Sequence, residues 1–183
     1  MRVSQAIPLF YSSTSDPGTF DRWATLCAVC DYVGTTNSVV IHVLHWKKNI
    51  GGGVGLSSGQ DVIDDAVSGN YDIYFGCLGT KYGEGTIREF KNAMDGHINS
   101  GDPKEILFGF DESPVNPFSL DRNFYKVAKF RADLQSPKRF GRSILYFPFS
   151  NEREFRERAL ANLDAAVKRL LARVVGGVRI SGH

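Results

Sequence analysis

Cysteine is scarce and odd in number, with Cys27, Cys30 and Cys77 the three among 183 residues. That excludes a disulfide-stapled scaffold and points to a reducing compartment, so a cytoplasmic protein is expected. No apolar run approaches the roughly 18 residues that a membrane span requires. The N-terminal stretch MRVSQAIPLFYSS is too short and too polar for a secretion signal. Excess charge is lacking as well: 22 Lys and Arg against 20 Asp and Glu leave a net charge of +2. Neither nucleic acid nor a membrane is therefore an expected partner. Repeats and low-complexity blocks are missing. The remaining balance, 42% hydrophobic and 23% charged, is that of an ordinary globular chain able to bury one core.

Hydrophobic periodicity divides the chain into alternating strands and helices. Ala6 to Tyr11 reads as a first strand, and Ser12-Ser13-Thr14-Ser15 as the loop leaving it. Asp16-Pro17 looks like an N-cap with proline in the first helical turn. Phe20, Trp23, Cys27 and Cys30 then share one helix face as far as about Val33, and Gly34 closes the helix. Val39 to Trp46 is rich in β-branched residues, which predicts a second, central strand. Lys47 to Gly59 predicts a glycine-rich mobile loop and Gln60 to Val67 a short helix.

Tyr71 to Leu78 is nearly continuous in apolarity, as a strand buried on both faces requires. A helix from Thr86 follows, with Ile87, Phe90, Met94 and Ile98 inward, ended by Gly101 and Pro103. Ile106 to Phe110 is a fourth strand. Asp121 to Gln135 is a helix with Phe124, Val127, Ala128 and Leu134 inward. Ser143 to Phe149 is the last strand, where Pro148 suits an edge. Asn151 to Val174 is the longest helix, with Phe155, Leu163, Val167, Leu170 and Val174 on one stripe. Val175 to His183 is left as a tail to a single domain over 1–174. Five strands alternating with five helices predict an α/β, flavodoxin-like five-stranded and mostly parallel sheet with helices on both faces.

The chemistry-bearing stretch is YDIYFGCLGTKYGEGTIREFKNAM, from Tyr71 to Met94. Its strand ends in a turn with glycines at 79, 83 and 85, and the next helix carries Glu89. Ligands of open α/β sheets sit outside the carboxyl ends of the strands, which makes Glu89 a candidate reactive carboxylate. Thr86-x-x-Glu89 is equally a capping box, in which the carboxylate only returns to its own helix N-terminus. Glu84, five residues away, is a second carboxylate able to raise the pKa of Glu89. Ser12, Ser13 and Thr14 leave the first strand on the same edge, either as ribose or pyrophosphate ligands or as a solvated loop. Phe10, Tyr11 and Trp46 are candidate ring-stacking residues, with Phe10 better read as core. Lys81 and Tyr82, beside Gly79, border Glu89 and suit a phosphate and a ring respectively.

Cys27-x-x-Cys30 has half-site spacing for zinc or redox chemistry, but no second pair exists and both lie on an apolar stripe, so core packing is expected. His42 and His45 point to opposite faces of a strand and cannot share a metal, so no metal site is expected. The loop after Trp46 lacks the Lys-Ser/Thr ending of a phosphate-binding P-loop.

From Ala6 to about Phe149 the sequence resembles bacterial TIR-like domains. The resemblance rests on Phe10-Tyr11-Ser12-Ser13 ending the first strand, Trp46 ending the second, the glycine-rich loop before Gln60-Asp61-Val62-Ile63, and a Tyr71-Asp72-Ile73 strand leading to Gly85-Thr86-x-x-Glu89-Phe90. Glu84 stands where the family usually has serine. The resemblance implies an NAD-cleaving enzyme of antiviral defence. Glu89 would be catalytic, Tyr11, Ser12, Ser13, Trp46, Gly79, Lys81 and Tyr82 would surround the dinucleotide, and NAD would be the substrate with no separate cofactor. It also implies activation by self-association, with a fused or separate sensor or effector as a further partner. The Gly85-Thr86-x-x-Glu89 core is similar as well to the nucleophile segment of nucleoside deoxyribosyltransferases. A non-catalytic interaction module is the third reading.

Overall fold

A computed structural model describes residues 5–14, 20–44, 71–79, 81–114, 122–136 and 146–178, with side chains to 174. Within these residues the chain runs β1 (Gln5–Ser13), α1 (Arg22–Asn37), β2 (Val39–Leu44), β3 (Ile73–Leu78), α2 (Glu84–Asn99), β4 (Glu105–Asp111), α3 (Arg122–Gln135), β5 (Phe147–Phe149) and α4 (Glu152–Val178). The five strands form one sheet in the order β2-β1-β3-β4-β5. Every pairing is parallel. This is the doubly wound, flavodoxin-like α/β arrangement expected from the alternation of strands and helices.

Side-chain alternation along the strands splits the core into two layers. Ile7, Leu9 and Tyr11 of β1 and Ile73, Phe75 and Cys77 of β3 pack with Leu26, Val29 and Val33 of α1 and with Phe155, Leu163 and Val167 of α4. Phe10, Tyr74, Leu78 and Phe108 enter the opposite layer with Ile87, Phe90 and Met94 of α2 and Phe130 and Leu134 of α3. All six residues of β3 are buried because helices cover both of its faces.

Several expectations are corrected. β1 extends through Ser13, so Ser12 and Ser13 belong to a strand and not to a loop. α1 begins at Arg22, its N-terminus capped by the Asp21 carboxylate, which accepts from the Ala24 N–H at 3.1 Å. It does not stop at Gly34 but at Ser38, whose φ of 57° ends the helix. Gly34 has another reason to lack a side chain: a Cβ there would lie 2.9 Å from the Val39 carbonyl oxygen. β2 is an edge strand, not a central one, with Val40 and His42 exposed. Ile98 is 50% exposed, because the last turn of α2 binds the following loop instead of the sheet. There His97 Nδ1 lies 2.7 Å from the Pro103 carbonyl oxygen. In α3 Phe130 is the buried anchor and Ala128 is exposed, contrary to the expected stripe. α4 continues to Val178, into the expected tail, and leaves Val174 49% exposed. Asp16-Pro17, Trp46, the Lys47–Gly59 loop, the Gln60–Val67 helix and the start of the last strand lie outside the described residues.

One buried ion pair ties the two sides of the carboxyl rim. Arg22 Nη2, at the start of α1, meets Asp111 Oδ2, at the end of β4, at 2.9 Å, with the two side chains 6% and 7% exposed. The guanidinium also lies 5.9 Å from the Phe149 ring centre.

Candidate functional site

The glycine turn after β3 decides where Glu89 points. α2 starts at Glu84 with Gly83 as its N-cap, and no side chain among the described residues caps it. The Ile87 N–H donates to the Gly83 carbonyl at 3.0 Å, so Thr86 already lies inside the first turn. A capping box would need Thr86 at the N-cap. Glu89 therefore sits one turn deeper than that reading requires and faces the sheet.

Glu89 is 6% exposed. Ser12 Oγ, on β1, donates a hydrogen bond to Glu89 Oε2. The alternation along β1 explains the meeting: Phe10 enters the α2/α3 layer, and Ser12, two residues on, points the same way. The neighbouring strand supplies a third group. Tyr74, in register with Phe10, donates from its hydroxyl to the Thr86 carbonyl at 3.3 Å. Burial pushes the Tyr74 phenol well above its usual range; the nearby Glu89 charge adds to this, while the neighbouring Ser12 side chain opposes it. Ser12 thus stands between a carboxylate and a phenol that is held neutral.

The expected meeting of the two loops is present. The Thr14 N–H donates to the Cys77 carbonyl at 3.4 Å, and a Cβ on Gly83 would lie 2.4 Å from Thr14 Cγ2. Glycine at 83 is what lets the end of β1 and the start of α2 close on one another. Gly79 is buried in the same turn, Lys81 is exposed and Tyr82 is half-buried. The Lys126 ammonium lies 5.3 Å from the Tyr82 ring centre, which draws Tyr82 toward α3.

Other expected site residues are not gathered here. Tyr11 is buried in the opposite layer between Trp23 and Phe75, at 6.0 Å from each ring centre. A ligand meeting Glu89 would have to pass through the sheet to reach it. Ser13 is half-buried. Glu84 is not a neighbour that tunes Glu89. Its side chain is 83% exposed and pairs with Lys126 at 3.8 Å. Cys30 is buried, as its apolar stripe predicts, and desolvation pushes its thiol up, which makes it a poor nucleophile. Trp46 lies outside the described residues.

Tyr74 was missed at the sequence level. The signal for Tyr74 was parity: on parallel neighbours, every second residue of β1 and β3 shares a layer. A carboxylate presented beside a hydroxyl at the carboxyl rim can stabilise or trap a cationic carbon centre.

No protein-family model and no curated protein matches the chain. Among solved structures the chain is similar to a diflavin flavoprotein A3 from Nostoc sp.. The two are 14% identical with a TM-score of 0.43, covering 96% of this chain and 99% of that one.

Proposed function

We propose that the protein is a TIR-type NAD glycohydrolase or ADP-ribosyl cyclase that breaks the nicotinamide–ribose bond, with Glu89 as its catalytic carboxylate. The observation that carries this reading is that Glu89 leaves its own helix N-terminus and meets Ser12 of β1 at the carboxyl rim of the sheet. As nicotinamide departs, positive charge develops on the anomeric carbon. A fixed carboxylate lowers the energy of that state by electrostatics or by covalent capture. Water, or an internal nucleophile of the dinucleotide, then completes hydrolysis or cyclisation. Gly79, Lys81 and Tyr82 border the site on the β3–α2 turn and are the described candidates for dinucleotide contact. An antiviral-defence role with activation by self-association follows from the same reading.

The test is product chromatography on concentrated protein given NAD, and separately a deoxynucleoside with a free base. Nicotinamide release that falls about 10²–10³-fold in Glu89→Gln, the loss expected when a charge-stabilising group is removed, supports the reading. Base exchange without NAD turnover assigns a deoxyribosyltransferase instead. Neither activity, in a folded and concentrated sample, leaves an interaction module.

A further inference from the structure

We infer that Ser12 and Tyr74 are positioning residues for Glu89, and that Ser12 holds the carboxylate without itself touching the substrate. The inference rests on Glu89 being the catalytic group, and it replaces the substrate-binding role that the sequence suggested for Ser12.

Three observations converge on it. Ser12 and Tyr74 are each 0% exposed, so the ribose of a bound dinucleotide has no access to either hydroxyl. Ser12 directs its proton to Glu89 Oε2 across 77 residues of sequence, and this bond joins the interior strand β1 to the second turn of α2. Tyr74 grips the same helix one turn earlier, through the Thr86 carbonyl, and its ring is wedged against Phe10 and Phe90 at centre distances of 6.1 Å in both cases. Glu89 and Thr86 are three residues apart and lie on the same helical face. One strand therefore orients the carboxylate while its neighbour fixes the backbone turn that carries it.

Geometry of this kind acts on the rate and not on binding. A carboxylate displaced by about 1 Å from a productive position costs up to about 10²-fold in turnover. A residue without substrate contact leaves KM unchanged when it is removed.

The experiment compares wild type, Ser12→Ala and Tyr74→Phe by steady-state NAD turnover. A second arm follows the Glu89 side-chain carboxyl carbon by NMR in 13C-glutamate-labelled protein, its resonance assigned by its loss in Glu89→Gln. Thermal unfolding establishes that each variant is folded. The expected result is a kcat lowered by about 10- to 100-fold in Ser12→Ala and by a smaller factor in Tyr74→Phe. KM stays within about twofold of wild type in both, and the carboxyl resonance is displaced in Ser12→Ala. A raised KM with kcat retained would return Ser12 to the substrate and overturn the inference, as would a carboxyl resonance that does not move. The NMR arm needs no turnover: a wild type inert toward NAD defeats the proposed activity, while the carboxyl resonance still decides whether Ser12 holds Glu89.

Discussion

At the scale of single residues, two glycines and one ion pair carry consequences that substitution can read. Gly83→Ala would place a methyl 2.4 Å from Thr14 Cγ2. The expected result is a shifted loop junction and loss of the proposed NAD turnover, with a stability cost of about 1–3 kcal/mol, the usual range for overpacking. Gly76 faces Ser12 in register, and a Cβ there would lie 2.4 Å from the Phe108 ring. Gly76→Ala should cost a similar amount, and for a chain of this size each kcal/mol lowers Tm by about 2–4 °C in calorimetry. Asp111→Ala leaves the Arg22 guanidinium buried without its carboxylate. Breaking a buried pair from one side costs about 3–5 kcal/mol, whereas replacing both partners by apolar residues is often close to neutral. Urea unfolding of Asp111→Ala and of Arg22→Met/Asp111→Leu should therefore give unequal losses, the single variant losing more.

At the scale of elements, the helix packed on β5 and α1 is the sharpest test of the core. Phe155 of α4 is fully buried and meets the Phe20, Phe149 and Phe75 rings at 5.5, 4.9 and 6.2 Å. Phe155→Ala should cost about 3–5 kcal/mol by chemical denaturation, the range for deleting a buried aromatic ring. This stripe was legible in the sequence because a helix on one face of a sheet writes its burial at a period of 3.6. The β3–α2 unit was legible for a similar reason, since a strand covered twice is apolar throughout.

Element ends were less legible. Whether α2 begins at Thr86 or Glu84 depends on how Gly83 packs against Thr14, a contact between residues 69 positions apart that no local pattern encodes. The three-residue shift of the N-cap from Thr86 to Gly83 separates a capping glutamate from one that faces the sheet. Ile98 and Val174 continue their apolar stripes in sequence but emerge into solvent, because a helix keeps its period past the point where its neighbours stop. Tyr11 misled in another way: alternation assigns it to the layer opposite Ser12, yet adjacency in sequence suggests a shared site.

At the scale of the whole molecule, burial sets the response to alkaline pH. Tyr11 and Tyr74 are held neutral inside the two layers, and desolvation is the main cause in both. Cys30 is raised for the same reason. Each group has its pKa raised in the folded state, so its contribution is intact below the unfolded values of roughly 8.5 for cysteine and 10 for tyrosine. Above those values the unfolded chain loses protons that the native state retains, and stability falls as pH rises. Each fully titrated group removes about 1.4 kcal/mol per pH unit. Denaturation midpoints should hold steady from pH 7 to 8 and decline steeply beyond 10, and Tyr11→Phe should soften that decline.

The division of the interior between early and late parts of the chain also orders its assembly on the ribosome. The layer built on α2 and α3 has its buried residues ending at Leu134, with Tyr146 packed against them, so it can close while α4 is still being synthesised. The other layer cannot, since α1 needs Phe155, Leu163 and Val167 of α4 as its counterpart. Leu26, Val29 and Val33 thus remain a sticky, chaperone-accessible surface until α4 clears the exit tunnel, so α1 is sheltered long after it is made.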